Sequence, residues 1–147
     1  MFRSCRGWRS QGQGAKPCQA AFCEIDLKGR GVCHVLIIED EPLIAMLVRD
    51  LLEEEGATSF SFAETQDGAV AAAISERPAL ITSDVKLVEG TGPLAIAAIH
   101  HRLGPIPVIF ITGTPAECQP CNPPGRVLTK PFNNTELASA FHEMARI

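Results

Sequence analysis

The chain has 147 residues, of which 46% are hydrophobic and 20% are charged. This length suits one domain with a complete core and is too short for two ordinary domains. No run of about 18 apolar residues predicts a transmembrane helix, and the N-terminus lacks the apolar stretch of a secretory signal. We therefore expect a soluble cytoplasmic protein without membrane insertion, whose six cysteines are reduced thiols and not disulfides.

The charge is divided unevenly along the chain. Residues 1–31 hold six basic and two acidic side chains, whereas residues 32–147 hold seven basic and fifteen acidic ones. The first segment is also rich in Gly, Ser and Gln and has no apolar period, which is typical of a disordered extension. We predict a disordered basic leader over residues 1–31 and a folded domain over residues 32–147. Such an acidic domain is not expected to bind nucleic acid or an anionic membrane.

Short apolar runs alternate with helical patterns through the folded part. The runs predict five strands: Cys33–Ile38, Thr58–Phe62, Ala79–Ser83, Pro107–Thr112 and Arg126–Thr129. Capping and stop signals predict four helices: from Pro42 to Gly56, from Thr65 to before Pro78, from Pro93 to Gly104, and from Asn133 with Glu136 onward. This order predicts an α/β fold, a parallel sheet with helices on both faces.

The connection between Thr112 and Lys130 departs from this alternation. It contains four prolines and two glycines in 17 residues, so we expect the helix at this place, the fourth of five, to be short or missing. Cys118 and Cys121 lie in the same connection. A zinc site would need a second pair of ligands, and a redox pair would open a helix after a strand, so we interpret both as part of a structural loop.

Chemically active side chains follow or end four of the strands. In a parallel sheet the carboxyl ends of the strands lie at one edge, where ligands bind. The side chains there are Glu39, Asp40 and Glu41 after the first strand, Asp84 after the third, Thr112 ending the fourth and Lys130 after the fifth. Carboxylates at one edge repel one another, so, unless one of them is protonated, we expect a hard cation such as Mg²⁺ to bind there. Glu41 is expected to favour the N-terminus of the first helix instead.

Four motifs resemble the receiver domain of bacterial two-component response regulators. They occur in that family's order: Val35–Pro42, Ile81–Asp84, Ile109–Gly113 and Leu128–Phe132. The resemblance covers about residues 33–147 and implies a flavodoxin-like, doubly wound five-stranded parallel sheet. Since only 17 residues follow Lys130, we expect a stand-alone receiver.

The resemblance also implies a role for each residue of the site. Asp84 would be the phosphoacceptor and would share a Mg²⁺ ion with Glu39, Asp40 and the backbone carbonyl of Lys86. Thr112 and Lys130 would contact the phosphoryl group, and we expect a cis peptide bond between Lys130 and Pro131 because a turn there must aim the lysine inward. Val127 stands where many receivers carry a switching aromatic side chain.

These roles predict a phospho-acceptor in a histidine–aspartate relay and not an enzyme. Aspartate is a weak nucleophile, so the phosphoryl donor must be activated. We expect this donor to be a phosphohistidine on a sensor histidine kinase or a histidine phosphotransfer protein. The output would be phosphorylation-dependent binding of a downstream protein, or storage of phosphate as a sink. Two alternatives remain: a receiver-like interaction module that takes no phosphate, and a hydrolase forming an aspartyl-phosphate. Such hydrolases have a second Asp two residues after the nucleophile, where this chain has Lys86.

Overall fold

The computed structural model describes residues 24–25, 31–115 and 125–145. Its main sheet has five parallel strands: β1 (His34–Ile38), β2 (Ser59–Ala63), β3 (Leu80–Ser83), β4 (Val108–Thr112) and β5 (Gly125–Thr129). Their spatial order is β2-β1-β3-β4-β5, which is the flavodoxin-like order. The predicted fold class is therefore confirmed.

Four α-helices lie in the described ranges: α1 (Pro42–Glu54), α2 (Gln66–Ser75), α3 (Gly92–Leu103) and α4 (Asn134–Ala145). Helices α1 and α4 pack against each other on one face of the sheet, and α2 and α3 pack together on the other. In the described parts of the β4–β5 connection, residues 113–115 contain no α-helix, and residues 116–124 lie outside the described ranges.

Three of the expected helix signals form as predicted. The Thr65 hydroxyl accepts a hydrogen bond from the Gly68 amide at 3.0 Å and caps α2. Before α4, Asn133 and Glu136 form a reciprocal capping box, with hydrogen bonds of 2.7 and 3.1 Å between each side chain and the other's amide. Gly104 ends α3 with a φ of 87°, which a side chain would disfavour.

Alternation along the strands divides the core into two layers. In β1, Val35 and Ile37 point toward α1 and α4, whereas Leu36 and Ile38 point toward α2 and α3, and all four are fully buried. A strand covered on both faces must be apolar at every position, which explains the continuous apolar runs of the sequence. Because the helices cover both faces of the sheet, polar side chains converge at its edge, at the carboxyl ends of β1, β3 and β5.

The buried imidazole of His34 lies at the start of β1, between two serines of the edge strand β2. Its Nδ1 is 2.7 Å from Ser59 Oγ, and its Nε2 is 2.7 Å from Ser61 Oγ. Glu76 Oε2 lies 3.4 Å from Nδ1. The alternating phenylalanines of β2 face the other side, where Phe60 is half-buried and Phe62 is exposed. The serines of this edge strand therefore satisfy a buried histidine.

Two further predictions concern residues that are mostly outside the described ranges. Glu24–Ile25, in the predicted leader, pairs antiparallel with Gly31–Val32 at the predicted boundary, and the rest of residues 1–30 is not described. Cys33 is buried, whereas the other five cysteines, Cys118 and Cys121 among them, lie outside the described residues. No helix of the described ranges is long and apolar enough to cross a bilayer.

Candidate functional site

The two neighbouring strands β1 and β3 bring three carboxylates together. Ile38 pairs with Ser83, so the residues that follow, Glu39, Asp40 and Asp84, meet at the same edge of the sheet. Each offers one carboxylate oxygen, and these atoms lie within 4.8 Å of one another. The backbone fixes this arrangement, since the Asp84 amide donates to the Ile38 carbonyl at 2.9 Å.

Lys130 brings a positive charge into this cluster from the end of β5. Its Nζ lies 3.1 Å from Asp84 Oδ2, 3.2 Å from Glu39 Oε1 and 3.5 Å from Glu41 Oε1. The Lys130–Pro131 peptide bond is cis, as expected. Burial alone would lower the pKa of Lys130, but the carboxylates of Glu39 and Asp84 raise it above its ordinary value. The side chain is therefore a cation shared by the acidic residues.

Glu39 is the most buried carboxylate of the site. Burial raises its pKa from 4.5 to about 7, with the Asp84 charge adding to this effect and Lys130 opposing it. One lysine does not balance three carboxylates, and a buried carboxylate with a raised pKa is stabilised in its ionised form by a cation. The donor set consists of hard oxygens only, which fits Mg²⁺.

The two oxygens of the Asp84 side chain have different partners. Oδ1 accepts a hydrogen bond from the Val85 amide at 2.6 Å, whereas Oδ2 accepts one from Lys130. The backbone carbonyl of the same residue accepts from the Ser83 hydroxyl at 2.7 Å. Asp84 is therefore held at its side chain and its backbone, while the residue stays partly open to solvent.

Thr112 lies at the end of β4 and is fully buried. The Thr112 backbone carbonyl accepts from the Lys130 amide at 2.8 Å, which places it next to the site. Its hydroxyl accepts from the Thr114 amide at 2.9 Å and lies 3.2 Å from the Thr114 hydroxyl. The described hydrogen bonds of this hydroxyl thus go to Thr114 and not to the acidic cluster. The side chain of Lys86 is exposed, as expected.

Sequence reasoning assigned Glu41 to the N-terminus of the first helix and missed two other contributors to this geometry, Ser83 and Gly92. Glu41 is the N-cap residue of α1 but makes no side-chain capping bond, and it faces Lys130 instead. The Ser83 hydroxyl donates to the Asp84 carbonyl, and Gly92 packs against the same carbonyl, since a Cβ atom at Gly92 would lie 1.8 Å from its oxygen. Of these, only Gly92 carries a sequence signal, because a glycine in the first turn of a helix indicates a close approach.

The sequence signature described as the response regulator receiver domain matches residues 35–142. The chain belongs to this family. A curated relative, the phyllosphere-induced regulator PhyR of Methylorubrum extorquens, is 35% identical over 113 residues, which are 75% of this chain and 42% of PhyR. The chain thus spans less than half of that relative's length. Membership of this family makes the chain a relative of two-component signalling proteins.

Solved receiver domains share the fold. The solution structure of the PhyR receiver domain of Erythrobacter litoralis is 32% identical, with a TM-score of 0.69 over 77% of this chain and 89% of that one. The receiver domain of the sensor histidine kinase PA1611 of Pseudomonas aeruginosa is 23% identical, with a TM-score of 0.67 over 76% and 96% of the two chains. That structure has a magnesium ion coordinated in its active-site cleft.

Proposed function

We propose that this receiver domain is a phospho-acceptor that is phosphorylated on Asp84 with Mg²⁺. The observation that carries the proposal is the position of Asp84, within 4.8 Å of the oxygens of Glu39 and Asp40 and 3.1 Å from Lys130 Nζ. Two carboxylates beside the acceptor supply ligands for a divalent cation, and the lysine supplies a fixed positive charge. Both are needed where an anionic nucleophile meets an anionic phosphoryl group.

Glu39, Asp40, Asp84 and the Lys86 carbonyl would hold the Mg²⁺ ion. The ion would neutralise charge on the phosphoryl oxygens during transfer. The donor is a phosphohistidine of a sensor histidine kinase or a histidine phosphotransfer protein. An oxygen of Asp84 forms a bond to phosphorus as the phosphorus–nitrogen bond breaks, and the imidazole leaves with that electron pair and takes up a proton from solvent. Lys130 pairs with the new phosphoryl group, and Thr112 supplies a hydroxyl donor once it releases Thr114.

Intact-mass spectrometry after incubation with phosphoramidate tests this reaction. The wild-type chain should gain the mass of one phosphoryl group in the presence of Mg²⁺ and gain none in excess chelator. Asp84→Asn should abolish labelling, whereas Asp67→Asn, which changes an exposed carboxylate on α2, should not. Labelling of Asp84→Asn would assign the acceptor elsewhere. An unlabelled wild-type chain would favour the interaction module that takes no phosphate.

The exposed apolar side chains of α1 support a protein donor. Leu43, Met46 and Leu47 are 83%, 54% and 43% exposed, and α1 begins directly after the acidic residues of the site. Side chains three and four residues apart lie on one face of a helix, so these three form a single surface, here called the α1 face. A phosphohistidine protein that covers the α1 face would bring its phosphoryl group to Asp84.

Comparison of a protein donor with a small donor tests this surface. Leu43→Ser with Met46→Ser should slow phosphotransfer from a phosphorylated histidine phosphotransfer protein by about 10-fold, because about 1.4 kcal/mol of apolar contact is lost. The same variant should react with phosphoramidate at the wild-type rate. Leu94→Ser on α3, which removes a side chain 52% exposed on the other face of the sheet, is the matched control. Equal rates of the wild type, the double variant and Leu94→Ser with the protein donor would exclude the α1 face as the docking surface of the donor.

A further inference from the structure

The turn from β2 to α2 contacts both the backbone of Glu39 and the loop that follows Asp84. At its start, the Ala63 carbonyl accepts from the Glu39 amide at 2.9 Å. Three residues later, the Gln66 amide donates to the Glu89 carbonyl at 3.0 Å. Glu89 belongs to residues 85–91, which follow Asp84 and are here called the acceptor loop. The turn therefore connects the backbone of Glu39 to the acceptor loop.

The Gln66 side chain packs against the backbone of the acceptor loop. Its Oε1 accepts from the Thr91 amide at 3.2 Å. A Cβ atom at Gly90 would lie 2.4 Å from this oxygen and 2.5 Å from Gln66 Cβ, so the contact requires a glycine there. Gly90 also has a φ of 83°, which only glycine adopts readily. Thr65 adds a parallel bridge to Glu89.

The other end of the acceptor loop closes on Asp84. The Gly92 amide donates to the Val85 carbonyl at 2.8 Å, which brings the start of α3 against the residue after Asp84. Lys86 forms an antiparallel bridge with Thr91. The Thr91 amide is the one that donates a hydrogen bond to the Gln66 side chain. The backbone of Lys86 is thus held through Thr91, and Thr91 is held by Gln66.

We propose that Gln66 is a positioning residue for Mg²⁺ binding. Its side chain supports the acceptor loop and thereby fixes the position of the Lys86 backbone carbonyl. The inference rests on the proposed function, since it concerns the same cation. Without the Gln66 oxygen, the Thr91 amide loses a hydrogen-bond acceptor and the bridge that aligns Lys86 loses its support. Removing groups that orient metal ligands typically weakens metal affinity by about 10- to 100-fold.

Titration calorimetry with Mg²⁺ and amide hydrogen exchange test the proposal on the full chain. Gln66→Ala should weaken Mg²⁺ binding by roughly 10-fold and speed exchange of the Thr91 amide without Mg²⁺. Gln66→Glu keeps an oxygen acceptor and should restore slow exchange and most of the affinity. Asp67→Ala, also a truncation to alanine but at an exposed position in the same turn, is the control for effects on α2 and should match the wild type in both measurements.

The outcomes separate this inference from the proposed function. Wild-type affinity in Gln66→Ala overturns it, whether or not Thr91 exchange changes, because the loop would then not depend on Gln66 for cation binding. Equal loss of affinity in Gln66→Ala and Asp67→Ala also overturns it, since the effect would come from α2. A wild-type chain that binds no Mg²⁺ would refute the proposed function itself, and unchanged Thr91 exchange in Gln66→Ala would then refute the contact as well.

Discussion

The buried carboxyl of Glu39 should make the stability of the metal-free protein depend on pH. Burial raises the pKa of Glu39 from 4.5 to about 7, so the folded protein holds this proton more tightly than the unfolded chain does. The stabilisation that results is fully present below pH 4.5, decreases as the pH rises, and is lost above about pH 7. At 1.36 kcal/mol for each pH unit, the free energy of unfolding should fall by about 3 kcal/mol across this window.

Glu39→Gln isolates this contribution because it keeps the shape of the side chain and removes its titration. We expect the wild-type free energy of unfolding, minus that of Glu39→Gln, to fall by about 3 kcal/mol between pH 4.5 and pH 7.5 in chelator. Urea unfolding at several pH values, with far-UV circular dichroism, measures both proteins. Glu41→Gln is the matched control, since it removes a carboxylate that also contacts Lys130 but is exposed.

A bound cation should abolish this fall in the free energy of unfolding with rising pH. Mg²⁺ stabilises the ionised form of Glu39, so repeating the series in excess Mg²⁺ should leave the wild-type protein more stable at pH 7.5 than in chelator. A difference between wild type and Glu39→Gln that is constant from pH 4.5 to pH 7.5 in chelator would refute the argument from burial. A difference that grows with pH would show that Lys130 outweighs desolvation.

Three other perturbations have definite expected results. Asp40→Ala should weaken Mg²⁺ binding by about 10-fold or more in titration calorimetry, because it removes a ligand and its charge, and unchanged affinity would exclude Asp40 as a ligand. Gly92→Ala should lower the free energy of unfolding by about 1–3 kcal/mol, since its Cβ would overlap the Asp84 carbonyl, whereas Gly113→Ala, with open space around its Cβ, should stay within about 0.5 kcal/mol. Deletion of residues 1–31 should leave a cooperative thermal transition, and loss of that transition would place the domain boundary earlier.

Strands, helices and their order followed from the sequence because local signals and packing agree. The runs Cys33–Ile38 and Pro107–Thr112 are apolar at nearly every position, as a strand buried on both faces requires. Each proved one residue too long at its start. In the first case, the Cys33 amide bonds to the Thr58 hydroxyl instead of entering the ladder. Such a side-chain contact leaves no trace in hydropathy.

The convergence of the acidic side chains with Lys130 also followed from the sequence, since parallel strands place their carboxyl ends at one edge. Residues that act through tertiary hydrogen bonds did not. Gln66 reads as an ordinary residue of a first helical turn, and Thr114 as part of a polar loop. Their partners, Thr91 and Thr112, lie in other segments or across a tight turn. Only three-dimensional contact reveals such roles.

The imidazole of His34 has a consequence for strand alignment. Its two nitrogens meet hydroxyls only when His34 stands opposite Ser59, because shifting β2 by one residue would bring phenylalanines to that side. A buried ring nitrogen without a partner costs about 1–3 kcal/mol, so a slipped edge strand is penalised at its first residue. The same ladder ends at Ala63, whose carbonyl holds the Glu39 amide. His34, at the opposite end of β1 from the acidic cluster, thus favours the β1–β2 register that positions Glu39.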